Sequence, residues 1–454
     1  MIHAGDLQKS WFYLKKNGIR NTFFATLERL QERKRTSYQF CGLSAGEYEK
    51  QKHTQFENPD LFSILVPMYE TASDYAKEMI QSVLAQSYPH FELILADASE
   101  SEKVRDIVSS FSDERIVYVR LERNEGISGN SNAALQYAKG NYTALLDHDD
   151  LLTPDALYRM EEKICEGREE NRSYAILYSD EDKCDTDGTR MYDPNLKPEF
   201  NLDLLLTNNY ICHFLVLKTD LIKRAGFRKE YDGAQDFDLI LHAFSLKNEQ
   251  DEIAHIGQVL YHWRCHPAST ASNPQSKLYA YAAGKNAIAE YLKTQNISAE
   301  VKNTAHNGFY RVIYGKNETA AEIFEARKDI GAVAGPVVNH GKIKSGILTK
   351  DTECPYEGLN MHFSGYLHRA SLQQEVRAAD LRNLAILPQL RTLMIQENQE
   401  TEKLLKRAEG MISGQQSRLS ARDEQEIRTI SIKICNEITK HGYRIFYDPN
   451  FCRK

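Results

Sequence analysis

Four consecutive residues, Asp147-His148-Asp149-Asp150, carry the densest chemistry in the chain. They follow Tyr142-Thr143-Ala144-Leu145-Leu146, an apolar run rich in strand formers, so the cluster is expected at the end of a buried strand. Close carboxylates raise one another's pKa unless a cation neutralises them. Mg²⁺ or Mn²⁺ suits such a place, because these ions take one or two carboxylates together with diphosphate oxygens. The spacing puts Asp147 and Asp149 on one side of a turn and leaves Asp150 to point elsewhere. The competing structural explanation is a solvated acidic loop in which Asp150 opens the next helix. A second acidic stretch, Asp232-Gly233-Ala234-Gln235-Asp236-Phe237-Asp238, precedes the apolar residues Leu239, Ile240, Leu241, Ala243 and Phe244. A carboxylate there could act as a general base, or could simply occupy a first helical turn where the macrodipole favours negative charge.

These groups need a scaffold, and the flanking pattern supplies one. From Phe62 onward short apolar runs alternate with helical stretches: Phe62–Val66, helix from about Ser73, Phe91–Ala96, helix over about 102–110, Ile116–Arg120. A turn-rich loop, Asn124–Asn132, then feeds a predicted helix over Ala133–Lys139, and the next strand delivers the acidic cluster. Such alternation predicts parallel strands covered on both faces, with ligands beyond their carboxyl ends. Pro67, Tyr69, Asp97, the Asn124–Asn132 loop and Asp147–Asp150 all fall at those ends. Asp97 could accept hydrogen bonds from a base imide, or act as a helix cap. Tyr69 could stack on a ring or pack at the rim. Amides beside Gly126 and Gly129 could approach phosphates, or these glycines could only form the turn. Neither a Walker A sequence nor GxGxxG occurs in this half.

At 454 residues, two or three domains are expected. Composition is that of a globular protein, 41% hydrophobic and 27% charged, and a net charge of −7 argues against nucleic acid as a partner. No apolar run approaches the roughly 20 residues that span a bilayer, and no signal peptide opens the chain. Eight scattered cysteines without CxxC pairs point to reduced thiols in a cytoplasmic protein. Residues 1–58 read as a helical arm with an apolar face and an excess of Lys and Arg. Such an arm either packs on the main domain or lies peripherally on the inner face of the plasma membrane.

The stretch from Phe62 to about Thr270 resembles a family-2 glycosyltransferase with the GT-A fold, of the kind that builds bacterial surface polysaccharides. The resemblance rests on Ser63–Tyr69, Ser82–Tyr88, Asn124–Asn130, Leu146–Asp150, Tyr178–Lys183, Gly233–Asp238 and Tyr261–Arg264. One departure is Glu70, where the family usually has Asn. The fold this implies is α/β: a Rossmann-like, nucleotide-sugar-binding GT-A domain over 59–300, with the helical arm before it and a mixed region, 301–454, after it.

The resemblance implies an inverting, metal-dependent transferase that moves a hexosyl or deoxyhexosyl group. The donor would be a UDP-, GDP- or dTDP-linked sugar, and the acceptor a glycan or lipid-linked glycan. Pro67, Tyr69, Asp97, Asn124, Gly126, Asn130, Asp147 and His148 would bind donor. Asp147, Asp149 and His262 would hold Mg²⁺ or Mn²⁺, with packing as the alternative for His262. Asp236 would be the base, being matched with Gln235 to the family's base motif, and Asp238 structural. Asp180, Asp182, Gln235, Trp263 and Arg264 would contact acceptor or diphosphate, with Glu181 the weakest of that group. Two other classes stay open: a non-catalytic sugar-nucleotide scaffold, and a sugar-phosphate nucleotidyltransferase.

Beyond 300, Gly308–Tyr314, Ile330–Pro336 and Lys440–Pro449 resemble pieces of a second transferase domain whose nucleotide-binding half is missing. A charged helix is predicted over about 371–411, broken at Pro388, in keeping with packing, partner contact or a homo-oligomer. Apolar positions Ile427, Ile430, Ile432, Ile434, Ile438 and Ile445 demand burial. The expectation is that 301–454 docks on the 59–300 domain or on a second chain and binds no nucleotide.

Overall fold

The computed structural model describes residues 4–32, 38–266, 278–414 and 419–452. They form two compact units. One is Ser37–Phe200 with Asn209–Tyr291; the other is Met1–Thr36, Asn201–Asn208 and Leu292–Lys454.

The first unit is organised on a nine-stranded sheet. Its strands are β1 (Phe62–Met68), β2 (Phe91–Asp97), β3 (Ile116–Arg120), β4 (Tyr142–Leu145), β5 (Leu151–Leu152), β6 (Ser173–Cys184), β7 (Met191–Asn195), β8 (Leu215–Lys218) and β9 (Asp251–Arg264). The order is β3-β2-β1-β4-β8-β6-β9-β5, with β7 on β6. The first four strands are parallel and β8 runs antiparallel to β4, which turns the topology at the end of β4. Helices Ser73–Leu84, Lys103–Ser109 and Gly126–Leu135 make the crossovers that parallel strands require. Both faces of β1 and β2 are therefore covered, and Ile64, Val66, Leu93 and Leu95 are buried with Met79, Ile80 and Val83. Gly140 lets the chain enter β4: a Cβ there would stand 2.4 Å from the Leu61 carbonyl oxygen.

One local expectation changes. The helix after the Asn124 loop begins at Gly126, because Asn124 and Asp232 already occupy the amides of Gly126 and Ser128 in its first turn. Asp155 stands at the N-cap position of helix Ala156–Glu169, with the Thr153 hydroxyl bonded to its carboxylate. The acidic triplet 180–182 lies within β6, between β9 and β7.

Beneath the sheet a carboxyl is buried with its cation, Arg168, no nearer than 3.9 Å. Glu161 accepts from the Asp60 amide through Oε1 at 3.2 Å, and its Oε2 is buried with no hydrogen-bond partner. Burial, then the neighbouring Asp60 charge, pushes Glu161 up to about 7. A carboxyl raised on folding binds a proton that the unfolded chain does not, so stability falls as pH rises from about 4.5 to about 7. Glu161→Gln should remove that fall, gaining about 1–3 kcal/mol at pH 8 and little at pH 4. Denaturant melts of the full chain at the two pH values check this; a variant weaker than wild type at pH 8 would contradict it.

In the second unit a four-stranded sheet runs Gln374–Val376, Arg444–Tyr447, Ile330–Ala334, Leu384–Ile386. Arg444–Tyr447 lies parallel to Ile330–Ala334, and the outer two strands are antiparallel. The helix predicted from about 371 therefore does not form before Pro388. Pairing of Gln374–Val376 and Leu384–Ile386 with this sheet outweighs the helix preference of their Gln, Glu, Leu and Ala residues. Helices Pro388–Glu397 and Gln399–Gly414 follow. Ile430, Ile434, Ile438 and Ile445 close on Leu390, Met394 and Ala332 within the same unit. Their burial needs no surface outside that core. Arg327 and Asp203, both buried, pair at 2.6 Å and tie the segment Asn201–Asn208 into it.

Candidate active site

β4 delivers its acidic run at the point where the sheet changes direction. Asp147 keeps a side chain 53% exposed, whereas Asp150 turns under and is buried. Asp150 Oδ2 accepts from the Tyr261 hydroxyl at 2.5 Å and Oδ1 from the Arg264 amide at 2.7 Å. The Tyr261 oxygen in turn accepts from the Asp147 amide at 3.3 Å. Burial, then the charges of Asp149 and Asp147, raises the Asp150 carboxyl well above its ordinary value.

Arg264 clamps this turn from below. It is 0% exposed, and its guanidinium donates to the Asp149 carbonyl at 2.6 Å and the Thr186 carbonyl at 2.7 Å, and pairs with Glu78 at 2.7 Å. The guanidinium expected to contact acceptor or diphosphate is thus committed to two backbone carbonyls and Glu78. Arg264→Met should leave two carbonyls without a donor and destabilise the chain by roughly 2–5 kcal/mol. A denaturant midpoint unchanged in that variant would rule out the clamp.

Two histidines flank the acidic run. His266 Nε2 sits 2.8 Å from Asp149 Oδ2. His213 Nε2 lies 3.8 Å from Asp147 Oδ2, its Nδ1 is 3.3 Å from Glu181 Oε2, and its ring stacks on Tyr261 at 4.7 Å. Burial alone would lower His213; hydrogen bonding to the Glu181 carboxylate and the Asp147 charge outweigh it and push it up to about 9. His213 is therefore a cation at neutral pH, set against the first Asp of the run. Desolvation by the crevice walls raises the Asp147 carboxyl, His213 opposes that rise, and Asp149 and Asp236 add to it. His148 is part-exposed beside them, with its Nδ1 buried and without a hydrogen-bond partner.

Pro67 lies near the end of β1, and Tyr69, just beyond it, is exposed at the crevice rim. Asp97 closes β2 and is fully buried. Its oxygens accept from the Ser99 amide, the Tyr118 hydroxyl and Arg120 at 2.7–2.9 Å. Glu70, at φ +47°, bonds the amides of Glu100 and Ser101 and the Ser101 hydroxyl, pinning the loop after β2. Across the crevice Asn124 Oδ1 accepts from the Gly126 amide and from Asn130, each at 3.0 Å. Gly126 takes φ +82°, and a Cβ there would meet Asp232 Oδ2 at 3.0 Å. Ser128 Oγ donates to Asp232 Oδ1 at 2.5 Å. The Asn124 loop and the approach to Asp236 are thus stitched together.

Asp236 and Asp238 separate as the helix geometry requires. Asp238 is buried and bidentate to Arg228. Asp236 is part-exposed in the first turn of helix Gln235–Leu246, its Oδ2 accepting from Asn209 at 3.1 Å. Gln235 folds back onto the Gly233 amide at 2.9 Å. Asp236 is close enough for its charge to act on Asp147.

Asp180 and Asp182 occupy the buried face of β6. Asp180 accepts from the Lys197 amide at 2.7 Å and meets His255 Nε2 at 2.8 Å. Asp182 lies between the Tyr38 hydroxyl at 2.7 Å and His262 Nδ1 at 2.5 Å. His262 is also buried, with Phe40 edge-on to its ring. Trp263 is part-buried on the core of the sheet. Glu181, on the opposite side of β6, is the member of the triplet that reaches His213. Burial would raise its carboxyl, but Lys197 and His213 hold it below the usual value. Sequence reasoning missed His213, His266 and the position of Glu181; each depends on which strands adjoin.

Residues 63–226 match the family model for glycosyl transferase family 2. Uncharacterized protein y4gI of Sinorhizobium fredii is 40% identical over 242 residues, covering 52% of this chain and 26% of that protein. O-antigen biosynthesis protein RfbC of Myxococcus xanthus is 32% identical over 258 residues, covering 56% of this chain and 20% of that protein. The chain thus spans about a quarter or less of the length of these two relatives. The structure of S. aureus TarS 1–349 in complex with UDP-GlcNAc is 20% identical, with a TM-score of 0.40 over 51% of this chain and 66% of that one. Residues 63–226, which run from β1 through the reversal at β8, thus carry the match to glycosyl transferase family 2, on an α/β sheet of GT-A-like topology.

Proposed function

We propose that this chain transfers a hexosyl or deoxyhexosyl group, with inversion, from a nucleoside-diphosphate sugar to a saccharide or lipid-linked saccharide. The setting is bacterial surface polysaccharide synthesis at the cytoplasmic side of the cell envelope. What supports this reading is the nearness of Asp149 and Asp236 to Asp147, close enough for their charges to act on it, just after the strand where the sheet reverses. The similarity to an O-antigen biosynthesis protein of Myxococcus xanthus supports the polysaccharide setting.

A divalent cation fits the donor set at the end of β4. Asp147 and Asp149 supply hard oxygen, which suits Mn²⁺ or Mg²⁺ shared with a diphosphate, and among the described residues no three ligating side chains converge on one point. Asp147 and Asp149 would hold the ion together with the diphosphate, and it would stabilise negative charge on the departing group. His262, the third ligand expected from sequence, is committed to Asp182.

The chain's own groups do the rest. Tyr69 offers a stacking face for the base, and Asp97 fixes the end of β2 through its bonds to Tyr118 and Arg120. The Asn124–Asn130 interlock, with His148 at the acidic turn, shapes the diphosphate side. Protonated His213 adds positive charge beside that diphosphate. Asp236 takes the proton from the acceptor hydroxyl as it attacks the anomeric carbon opposite the leaving group. Asn209, bonded to one oxygen, leaves the other carboxylate oxygen for this task. Gln235 and Trp263 line the acceptor approach.

Incubation with UDP-, GDP- and dTDP-sugars and Mn²⁺, with products read by NMR, tests this. Nucleoside diphosphate release with an inverted anomeric product is expected. Retained configuration would rule out single displacement. Consumption of a nucleoside triphosphate and sugar phosphate would mean a nucleotidyltransferase. Binding without turnover, with acceptor present, would mean a scaffold.

A further inference from the structure

Helix Ala4–Glu32 is bent at Gly18, which takes φ +76°. Beyond the bend its inward and outward faces are inverted relative to an ordinary surface helix. Hydrogen-bonding residues face its own unit. Asn17 donates to the Ala305 carbonyl at 3.1 Å, Arg20 meets His362 at 2.9 Å, and Glu28 accepts from the Ser364 and Gly365 amides at 3.0 and 2.6 Å. Phe24 is the aromatic that packs inward, on His362 and Phe363.

The large aliphatic and aromatic residues face outward. Ile19 is 81% exposed, Phe23 58%, Leu30 54% and Leu27 36%. Spaced at 19, 23, 27 and 30, they form one stripe along the helix. An apolar stripe of this kind is costly in water unless something covers it.

The charge beside the stripe says what covers it. Lys15 and Arg29 flank it, Lys16 and Arg20 stand at its edge with bonds to Asn307 at 2.7 Å and His362 at 2.9 Å, and the sequence continues Arg33-Lys34-Arg35; between 15 and 35 the only acidic residues are Glu28 and Glu32. Glu28 is already engaged with backbone amides. The segment is thus strongly basic in a chain of net charge −7. We infer that residues 15–30 form a docking surface for an anionic lipid bilayer, with Ile19, Phe23, Leu27 and Leu30 entering the headgroup–acyl boundary. Basic side chains beside an apolar stripe match the two forces that hold an interfacial helix, apolar burial and attraction to anionic headgroups. Nucleic acid would use the charge but leave the stripe bare. A second copy would bring like charges together.

The docking is independent of transfer, so each can fail without the other. The test is flotation of the full chain with vesicles of phosphatidylcholine alone and of phosphatidylcholine with phosphatidylglycerol in a two-to-one ratio. Binding is expected to the anionic vesicles only, and to weaken as salt shortens the Debye length. Ile19→Ser combined with Phe23→Ser should lower the bound fraction roughly tenfold or more. Circular dichroism and donor turnover in solution should stay unchanged, because both side chains are already exposed. Three results would each overturn the inference. These are no flotation with anionic vesicles, flotation indifferent to the double variant, and a wild-type dimer in sedimentation that the double variant dissolves.

Discussion

Asp236→Asn is expected to bind nucleotide sugar with wild-type affinity and to lose transfer by at least about 10²-fold. The asparagine preserves size and can still accept from Asn209, so the first turn of helix Gln235–Leu246 keeps its shape. What disappears is a carboxylate edge able to take the acceptor proton. Asp238 supplies the internal control. Its carboxylate is buried and bidentate to Arg228, so Asp238→Asn should cost stability, in the range of about 3–5 kcal/mol for breaking a buried pair, and not the chemical step specifically. Measured side by side, the first variant should show a lower kcat on an unchanged melting curve, and the second a lower melting curve. Near-normal turnover in Asp236→Asn would move the base elsewhere, and Glu181 beside His213 would be the next carboxylate to replace.

The acidic run of β4 was legible because its signal is local. A strand-forming run is followed at once by three carboxylates, and no neighbour is needed to see that they lie at a strand end. The same holds for β1, β2 and β3, whose apolar runs match the parallel half of the sheet. The triplet 180–182 was not legible in this way. The pairing of β6 with β9 slips between Ser179 and Asp180 and again between Asp180 and Glu181. Simple alternation therefore cannot say which carboxylate meets His213; all three are buried, and Glu181 is the one beside it.

His213 and His266 were invisible for a different reason. β8 joins β4 only because the sheet reverses there, and nothing within Ile211–Leu217 indicates that neighbour. In the second unit, Gln374–Val376 has the composition of a helix and becomes a strand through pairing with Arg444–Tyr447, some 70 residues later. Each of these cases turns on a contact between distant segments. The local residue pattern was read correctly, and the partner was missing from it.

Asp149→Asn should alter binding and stability in opposite directions. Asp149 raises the carboxyl of Asp147 and that of buried Asp150, so its charge is a source of repulsion within the folded chain. Its favourable partners are His266 at 2.8 Å and, more remotely, His148 at 3.9 Å. An asparagine oxygen can still accept from His266, and the Asp149 carbonyl that Arg264 grips is untouched. The metal-free variant is therefore expected to melt at or slightly above wild type, by up to about 1 kcal/mol. Affinity for a nucleoside diphosphate should behave otherwise. Loss of one of two hard oxygen ligands should erase the increment that Mn²⁺ gives to diphosphate binding, a fall of at least about tenfold, or 1.4 kcal/mol. Calorimetric titration of UDP, GDP and dTDP with and without Mn²⁺, beside a denaturant melt of the same sample, reads both effects. Misfolding would lower both together, so the opposed signs are the signature of a ligand lost from an intact site. Metal-dependent binding that survives in Asp149→Asn would remove Asp149 from the cation site and leave Asp147 and the histidines to account for it.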